Sequence, residues 1–150
     1  MGQETTKKIR LMTLTDIPAV MALDGEAFPV SWPRPAWEEE LTKHGDSYLC
    51  LEVNGALAGY AGFWWVLDEV QVTRVAIGKA FRGQGLGELL MNGAKAQAQE
   101  LGSHFMTLEV REGNTVARKL YEKLGFKSLG IRPHYYENKE NAIMMEWQFK

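Results

Sequence analysis

Stretches in which apolar residues crowd together or fall on alternate positions trade places with stretches in which they recur every three to four residues. The first pattern marks strands, and the second marks helices that bury one face. Strands are expected over Ile9–Met12, Ser47–Val53, Leu57–Val66, Val70–Ile77, Phe105–Val110, Phe126–Ile131 and Ala142–Phe149, with Asn54-Gly55 as the hairpin turn between the second and third. A first helix opens near Thr15, a capping residue, tolerates Pro18 in its first turn and carries Val20, Met21, Leu23 and Ala27. Phe28–Pro35 holds three prolines and reads as a loop, followed by a short helix over Trp37–Lys43. Leu86, Leu89, Leu90, Gly93, Ala94 and Leu101 form the stripe of a longer helix that Gly102 ends. Asn114 can cap a last helix with Val116, Ala117, Leu120, Tyr121 and Leu124 on one face, stopped by Gly125. Residues 1–8 are polar and expected to fray. The natural packing of these elements is α/β (α+β): a mixed sheet with helices on both faces, in a single domain over residues 1–150.

Composition narrows the classes. The chain is 45% hydrophobic and 24% charged, with a net charge of -2, so it carries no basic field of the kind that direct nucleic-acid binding needs. No apolar run approaches membrane-spanning length and the start lacks a secretory leader, so the expected location is cytoplasmic, away from any membrane. Cys50 is the one cysteine, set in the apolar run Tyr48-Leu49-Cys50-Leu51, and is expected to be a buried, inert thiol. His44, His104 and His134 are scattered without ligand spacing, so no metal is expected. Trp64 and Trp65 are read as packing residues on a strand, and Glu38-Glu39-Glu40 as a solvated helix start. No heptads or unexplained apolar helix face appear, so a monomer is expected.

One stretch carries chemistry. Arg82-Gly83-Gln84-Gly85-Leu86-Gly87 follows the apolar run ending at Ile77 and opens the third helix. A strand feeding a glycine-rich turn and then a helix presents bare backbone N–H groups at a positive helix end, which suits a diphosphate. The spacing fits neither a nucleotide P-loop, which needs G-x-x-x-x-G-K-[ST], nor a dinucleotide fingerprint with its later acidic residue. The string R-x-x-G-x-G resembles the pyrophosphate-binding motif of the GCN5-related N-acetyltransferases (GNAT), which use acetyl-coenzyme A. Downstream, Asn114 through Ala117, Leu120-Tyr121 and Gly125-Phe126 resembles that family's second block, N-x-x-A-x-x-L-Y-x-x-x-G-F. The resemblance covers nearly the whole chain and implies the GNAT fold, a mostly antiparallel mixed sheet of about seven strands. Glu26-Ala27-Phe28-Pro29 through Trp32, Leu67-Asp68-Glu69, Leu108-Glu109-Val110-Arg111, and Ile131-Arg132 with Tyr135-Tyr136 before Ala142–Met145 look, within it, like the bacterial ribosomal-protein-alanine N-acetyltransferases. That likeness implies a protein N-terminus as partner, the alanine of a small-subunit ribosomal protein.

Acetyl transfer needs a neutral amine and a proton for the departing thiolate. Glu109 interrupts an apolar strand, a position that needs a reason. It is either an outward strand residue paired with Arg111 or, matching L-E-V-R, the base that takes the amine proton. An α-amine with a pKa of about 7.7–8.0 needs less help than a lysine at about 10.4. Tyr121 shares a helical face with Ala117 and Leu124. It is either core with a polar tip or, by the resemblance, the acid that protonates the thiolate.

The resemblance further gives Asn114 a cofactor contact beside its capping role. Arg82, Gly83, Gln84, Gly85, Leu86 and Gly87 are expected to hold the diphosphate, and Val75, Ala76 and Ile77 to line the pantetheine arm with their backbone. Phe28, Pro29 and Trp32 in one loop, and Arg132, Tyr135 and Tyr136 near the last hairpin, are expected at the peptide. Alternatively the loop aromatics are a lid over the core. His134 lies in the same substrate-side segment. Arg74 and Pro133 stand where relatives often carry other polar residues, and Arg74 could alter the substrate mouth.

The expected reaction is direct transfer in a ternary complex, since Cys50 offers no activated nucleophile. One rival is an acetyltransferase for lysine or a small-molecule amine. The other is a coenzyme A-binding module without catalysis, against which the joint presence of Glu109 and Tyr121 argues.

Overall fold

The computed structural model describes residues 5–28, 30–136 and 138–149. Its strands are β1 (Lys7–Leu11), β2 (Tyr48–Val53), β3 (Ala56–Val66), β4 (Glu69–Ile77), β5 (Phe105–Arg111), β6 (Lys127–Arg132) and β7 (Ala142–Gln148). Its helices are α1 (Ile17–Ala27), α2 (Arg34–His44), α3 (Leu86–Glu100) and α4 (Thr115–Lys123). The strands form one sheet in the order β1-β2-β3-β4-β5-β7-β6. β4 and β5 are parallel, joined through α3, while the pairs β1/β2, β2/β3, β5/β7 and β7/β6 are antiparallel. The expected mixed, mostly antiparallel sheet is therefore the one formed.

By internal packing the chain falls into two units, Met1–Gly62 with Arg74–Ala94, and Phe63–Thr73 with Lys95–Lys150. In the first, strand register sorts the two sheet faces. Cys50 lies opposite Tyr60, and both join Ile17, Val20, Leu23, Trp37 and Leu41 in a buried cluster that seats α1 and α2. Leu51 lies opposite Ile9, and Gly93 of α3 sits against Ile9 so closely that a Cβ there would approach the isoleucine to 2.7 Å. Helices thus cover both faces, and a pleated sheet with period two makes this sorting unavoidable. A register shift between Leu51 and Glu52 bulges β3 against β2.

Three boundaries differ from the sequence reading. β1 starts at Lys7, within the stretch expected to fray, because it is zipped to Val53 and Glu52 of β2. α1 starts at Ile17 rather than near Thr15. A short 3-10 turn over Leu14–Asp16 precedes it, and there the Thr13 N–H donates to Asp16 Oδ2 at 2.7 Å. α2 begins at Arg34, inside the expected loop. Pro35 sits in the first turn, where its missing N–H has no intrahelical partner to lose. Glu38–Glu40 therefore lie past the helix start, and Lys43 pairs with Glu39 at 2.6 Å.

In the second unit, β5 alternates strictly: Met106, Leu108 and Val110 are buried, while Phe105, Thr107, Glu109 and Arg111 are only partly so. Leu124, Phe126, Ala142, Ile143 and Met145 complete that core. Asn114 caps α4, its Oδ1 accepting the Ala117 N–H at 3.2 Å. Some apolar assignments fail. Val116, Leu89, Trp64 and Trp65 are exposed. Cys50 is buried as expected, and burial pushes its thiol up to about 12.

Candidate active site

In the first unit, β4 ends at Ile77, and a 3-10 turn over Lys79–Phe81 leads to the glycine loop. Gly83 and Gly85 take φ of +79° and +75°, a conformation that costs any L side chain about 1–2 kcal/mol. Nothing lies within 4 Å of where a Cβ would stand at either position. The turn therefore needs glycine for backbone conformation and not for lack of space, and residues 82–85 are exposed ahead of the fifteen-residue helix α3, whose Leu86 is buried. Arg82 is exposed and donates from Nε to the Ile77 carbonyl at 3.0 Å, which braces the loop against the end of β4. An exposed left-handed glycine pair at a helix N-terminus fits a diphosphate. Of Val75, Ala76 and Ile77, only Ala76 is fully buried.

The loop after α1 is held from below. Asp24 is completely buried, and its Oδ1 accepts from the Tyr60 hydroxyl and from Arg74 Nη1 at 2.7 Å. Its Oδ2 accepts the Trp32 N–H at 3.1 Å. The Arg74 guanidinium lies 4.6 Å from the Phe28 ring centre and 4.9 Å from that of Trp32. Phe28 and Trp32 are thus brought together on one cation, half-buried. Pro29 lies outside the described residues. Burial, and then the hydrogen bond to Asp24, push the Tyr60 phenol up.

In the second unit, Glu109 lies opposite Met144, and Arg132 opposite Ala142. This register sets Arg132 on the sheet face of Glu109, and its Nε stands 3.5 Å from Glu109 Oε1. The carboxylate is 13% exposed and the guanidinium 52%. Arg111 is not its partner, contrary to the structural alternative in the sequence. The Arg111 guanidinium instead reaches Asn138 Oδ1 at 3.1 Å and Glu140 Oε1 at 3.3 Å, and lies 4.1 Å from the Tyr136 ring centre.

Glu109, Arg132, Thr107, Leu108, Met144 and Met145 are among the residues lining a cavity of about 270 Å³. Tyr135 hydrogen-bonds Glu109, which holds its phenol above the usual range. Tyr135 and Tyr136 meet edge to face with ring centres 5.1 Å apart. Burial, then the Glu109 charge, push Tyr136 up to about 12. Tyr121 is half-buried with its ring edge to face on Phe126 at 5.8 Å, and burial pushes its phenol up to about 12. It is not among the residues lining the Glu109 cavity. His134 is exposed at φ +54°, its backbone N–H on Asn141 Oδ1 at 3.0 Å.

Sequence reasoning missed Asp24 and Tyr60. A signal existed, because Asp24 falls on the apolar stripe of α1 four residues after Val20, where a carboxylate needs a partner. Among the described residues, no cluster of three or more His, Cys, Asp or Glu side chains could hold a metal, and no helix is long and apolar enough to cross a membrane.

The first unit thus holds a left-handed glycine loop leading into a helix, and the second a recessed carboxylate over a cavity. The chain belongs to the acetyltransferase (GNAT) family, whose model matches residues 17–126. It is 38% identical over 144 residues to a provisionally named ribosomal protein bS18-alanine N-acetyltransferase of Bacillus subtilis (strain 168), with 95% of each chain covered. It is 32% identical over 142 residues to the [ribosomal protein bS18]-alanine N-acetyltransferase of Escherichia coli (strain K12), covering 91% of this chain and 94% of that one. The crystal structure of the Escherichia coli ribosomal-protein-S18-alanine N-acetyltransferase superposes with a TM-score of 0.83 at 30% identity, over 95% of this chain and 94% of that one. The protein is an N-acetyltransferase, and acetyl-CoA is the donor its family uses.

Proposed function

We propose that this protein, as one domain over residues 1–150, acetylates the α-amine of a protein N-terminus, with the N-terminal alanine of ribosomal protein bS18 as its substrate. The observation that carries the reading is the setting of Glu109, a carboxylate 13% exposed that opens into a cavity of about 270 Å³. A cavity of that size, lined partly by Met144, Met145 and Leu108, suits a small apolar first residue. The relatives named for bS18-alanine acetylation give the substrate its identity.

Acetyl-CoA supplies the acetyl group as an activated thioester. Arg82 and the backbone N–H groups of Gly83 to Gly87 hold its diphosphate, the backbone of Val75 to Ile77 lines the pantetheine arm, and Asn114 contacts the cofactor from the cap of α4. Glu109 receives the proton that the α-amine gives up, directly or through a water. Tyr121 donates its hydroxyl proton to the leaving sulfur. Held near 12, it stays protonated at any working pH. Phe28 and Trp32, together with Arg132, Tyr135 and Tyr136, contact the peptide. Transfer is direct, because Cys50 is buried with its thiol near 12 and cannot act as a nucleophile. The protein acts as a cytoplasmic monomer on a protein partner, without direct contact to nucleic acid or membrane.

Incubation with acetyl-CoA and two peptides tests the reading. One begins with a free alanine; its twin has a blocked N-terminus and an internal lysine. Mass spectrometry is expected to find the acetyl group on the alanine α-amine alone. Modification of the lysine alone would overturn the N-terminal assignment.

A further inference from the structure

The charged network under the loop after α1 is not consumed by the reaction. Asp24 cannot meet substrate, because it is 0% exposed and both its oxygens are occupied, one by Tyr60 and Arg74 and the other by the Trp32 N–H. Arg74 is 13% exposed. Beyond its bond to Asp24, its Nη2 points to the Val30 carbonyl at 3.4 Å, while its flat face serves the rings of Phe28 and Trp32. Two rings, one carbonyl and one N–H of this loop therefore return to a single ion pair, while the Trp32 ring also packs on Trp37 with ring centres 4.7 Å apart. An ion pair this deep is a poor source of net stability, since desolvation offsets most of the attraction. Its effect is geometric, because a guanidinium fork fixes direction as well as distance.

We infer that Asp24, Tyr60 and Arg74 form a positioning clamp that fixes Phe28 and Trp32 as a rigid wall for the peptide, so that Arg74 sets peptide preference without touching the amine. The inference rests on the proposed function for the substrate and for the contact of Phe28 and Trp32 with the peptide. Lysine at position 74 keeps the charge but loses the second N–H and the flat stacking face. R74K is therefore expected to loosen the loop while retaining the buried ion pair. The double variant D24N/R74Q removes both charges together and leaves neither buried alone.

The test measures kcat and KM for R74K, D24N/R74Q and Y60F with peptides beginning in alanine, serine, methionine and leucine. A misplaced wall acts on binding and orientation, so the peptide KM should rise about tenfold in R74K and the preference for alanine over leucine should fall by a similar factor. The KM for acetyl-CoA should be unchanged. A second readout needs no turnover: fluorine NMR of protein labelled with 5-fluorotryptophan, with the Trp32 signal assigned by W32F. In R74K that signal should shift and broaden while the signal of Trp147, which packs on Phe149 and Lys95 and is assigned by W147F, holds. Y60F, which removes one hydroxyl, reports the same shift if the other variants do not fold. Folded variants with unchanged peptide KM, unchanged preference and an unmoved Trp32 signal would overturn the clamp. A wild-type enzyme that ignores every peptide N-terminus would instead sink the proposed substrate, while the fluorine signal would still report on the clamp.

Discussion

Replacing Glu109 by glutamine separates catalysis from stability, because the structure makes the two costs unequal. The glutamine keeps the size and shape of the side chain and removes its charge. Its ionic partner Arg132 is 52% exposed at 3.5 Å, so solvent screens the pair although Glu109 is recessed, and its worth stays at about 1 kcal/mol. The catalytic cost is larger. A positioned general base contributes about 10²–10⁴-fold, or roughly 3–5 kcal/mol of barrier. E109Q is therefore expected to unfold in urea within about 1 kcal/mol of wild type and to lose at least about 100-fold in kcat at neutral pH. The loss should shrink as pH rises through the amine's own pKa of about 7.7–8.0, because the substrate then arrives already neutral. A structural control accompanies the kinetics. Tyr135 is held above its usual range first by its hydrogen bond to Glu109, so its spectrophotometric titration should move down in E109Q. A folded E109Q with wild-type kcat at neutral pH would refute the assignment of the base. A loss that stays constant across the amine's pKa would refute proton abstraction as its role.

Three further outcomes are expected. Y121F keeps the edge-to-face contact with Phe126 but removes the proton donor, so kcat should fall about 100-fold with peptide KM and melting temperature nearly unchanged; an active Y121F would exclude it as the acid. G85A places a Cβ in open space but at φ +75°, which costs about 1–2 kcal/mol, so the KM for acetyl-CoA should rise roughly 5- to 30-fold while the peptide KM holds. An unchanged acetyl-CoA KM would mean that the loop does not hold the diphosphate. Arg10 holds Asp16 down to about 2 from an ordinary 3.8, so this carboxylate stabilises the fold above pH 3.8 and ceases to as pH falls through about 2. D16N should cost about 2 kcal/mol in urea unfolding near neutrality, a gap that closes on approach to pH 2; a gap independent of pH would show that the charge is not what matters.

The legible parts of the molecule were those with local causes. Asn114 declared itself as a cap by type and position, and the glycines of 83–87 by the backbone angles that only they adopt easily. The alternation of β5 exposed Glu109 as an anomaly before any contact was known. What stayed hidden was pairing over long sequence separation. Nothing near Glu109 distinguishes Arg111, two residues away, from Arg132 as its partner. The choice is made by the β5/β7 and β7/β6 registers, which local periodicity does not encode. Asp24 was hidden for the same reason, since its partners lie 36 and 50 residues downstream. The start of α2 is hidden for another reason: a proline breaks a helix interior but fits its first turn, and residue type alone does not say which turn it occupies.

The two sets of aromatic residues assigned to the peptide share one physical device. Phe28 and Trp32 lie on Arg74, which is tied to Asp24. Tyr136 lies on Arg111, which is tied to Glu140, and Tyr135 is 5.8 Å from Arg132, which pairs with Glu109. In each case a carboxylate fixes an arginine, and the flat guanidinium fixes a ring. Loop aromatics left to themselves would lose rotamer freedom on meeting a peptide, at about 0.5–1.5 kcal/mol for each side chain immobilised. Rings already held against a guanidinium have lost much of that freedom before the peptide arrives. With Glu109 as the proposed base, the arrangement also ties catalysis to recognition, because the same carboxylate pairs with Arg132 and acts on Tyr135. A substitution there should therefore alter peptide KM as well as kcat. Y121F, which disturbs no such pair, should alter kcat alone, and measuring both constants for both variants discriminates the two roles.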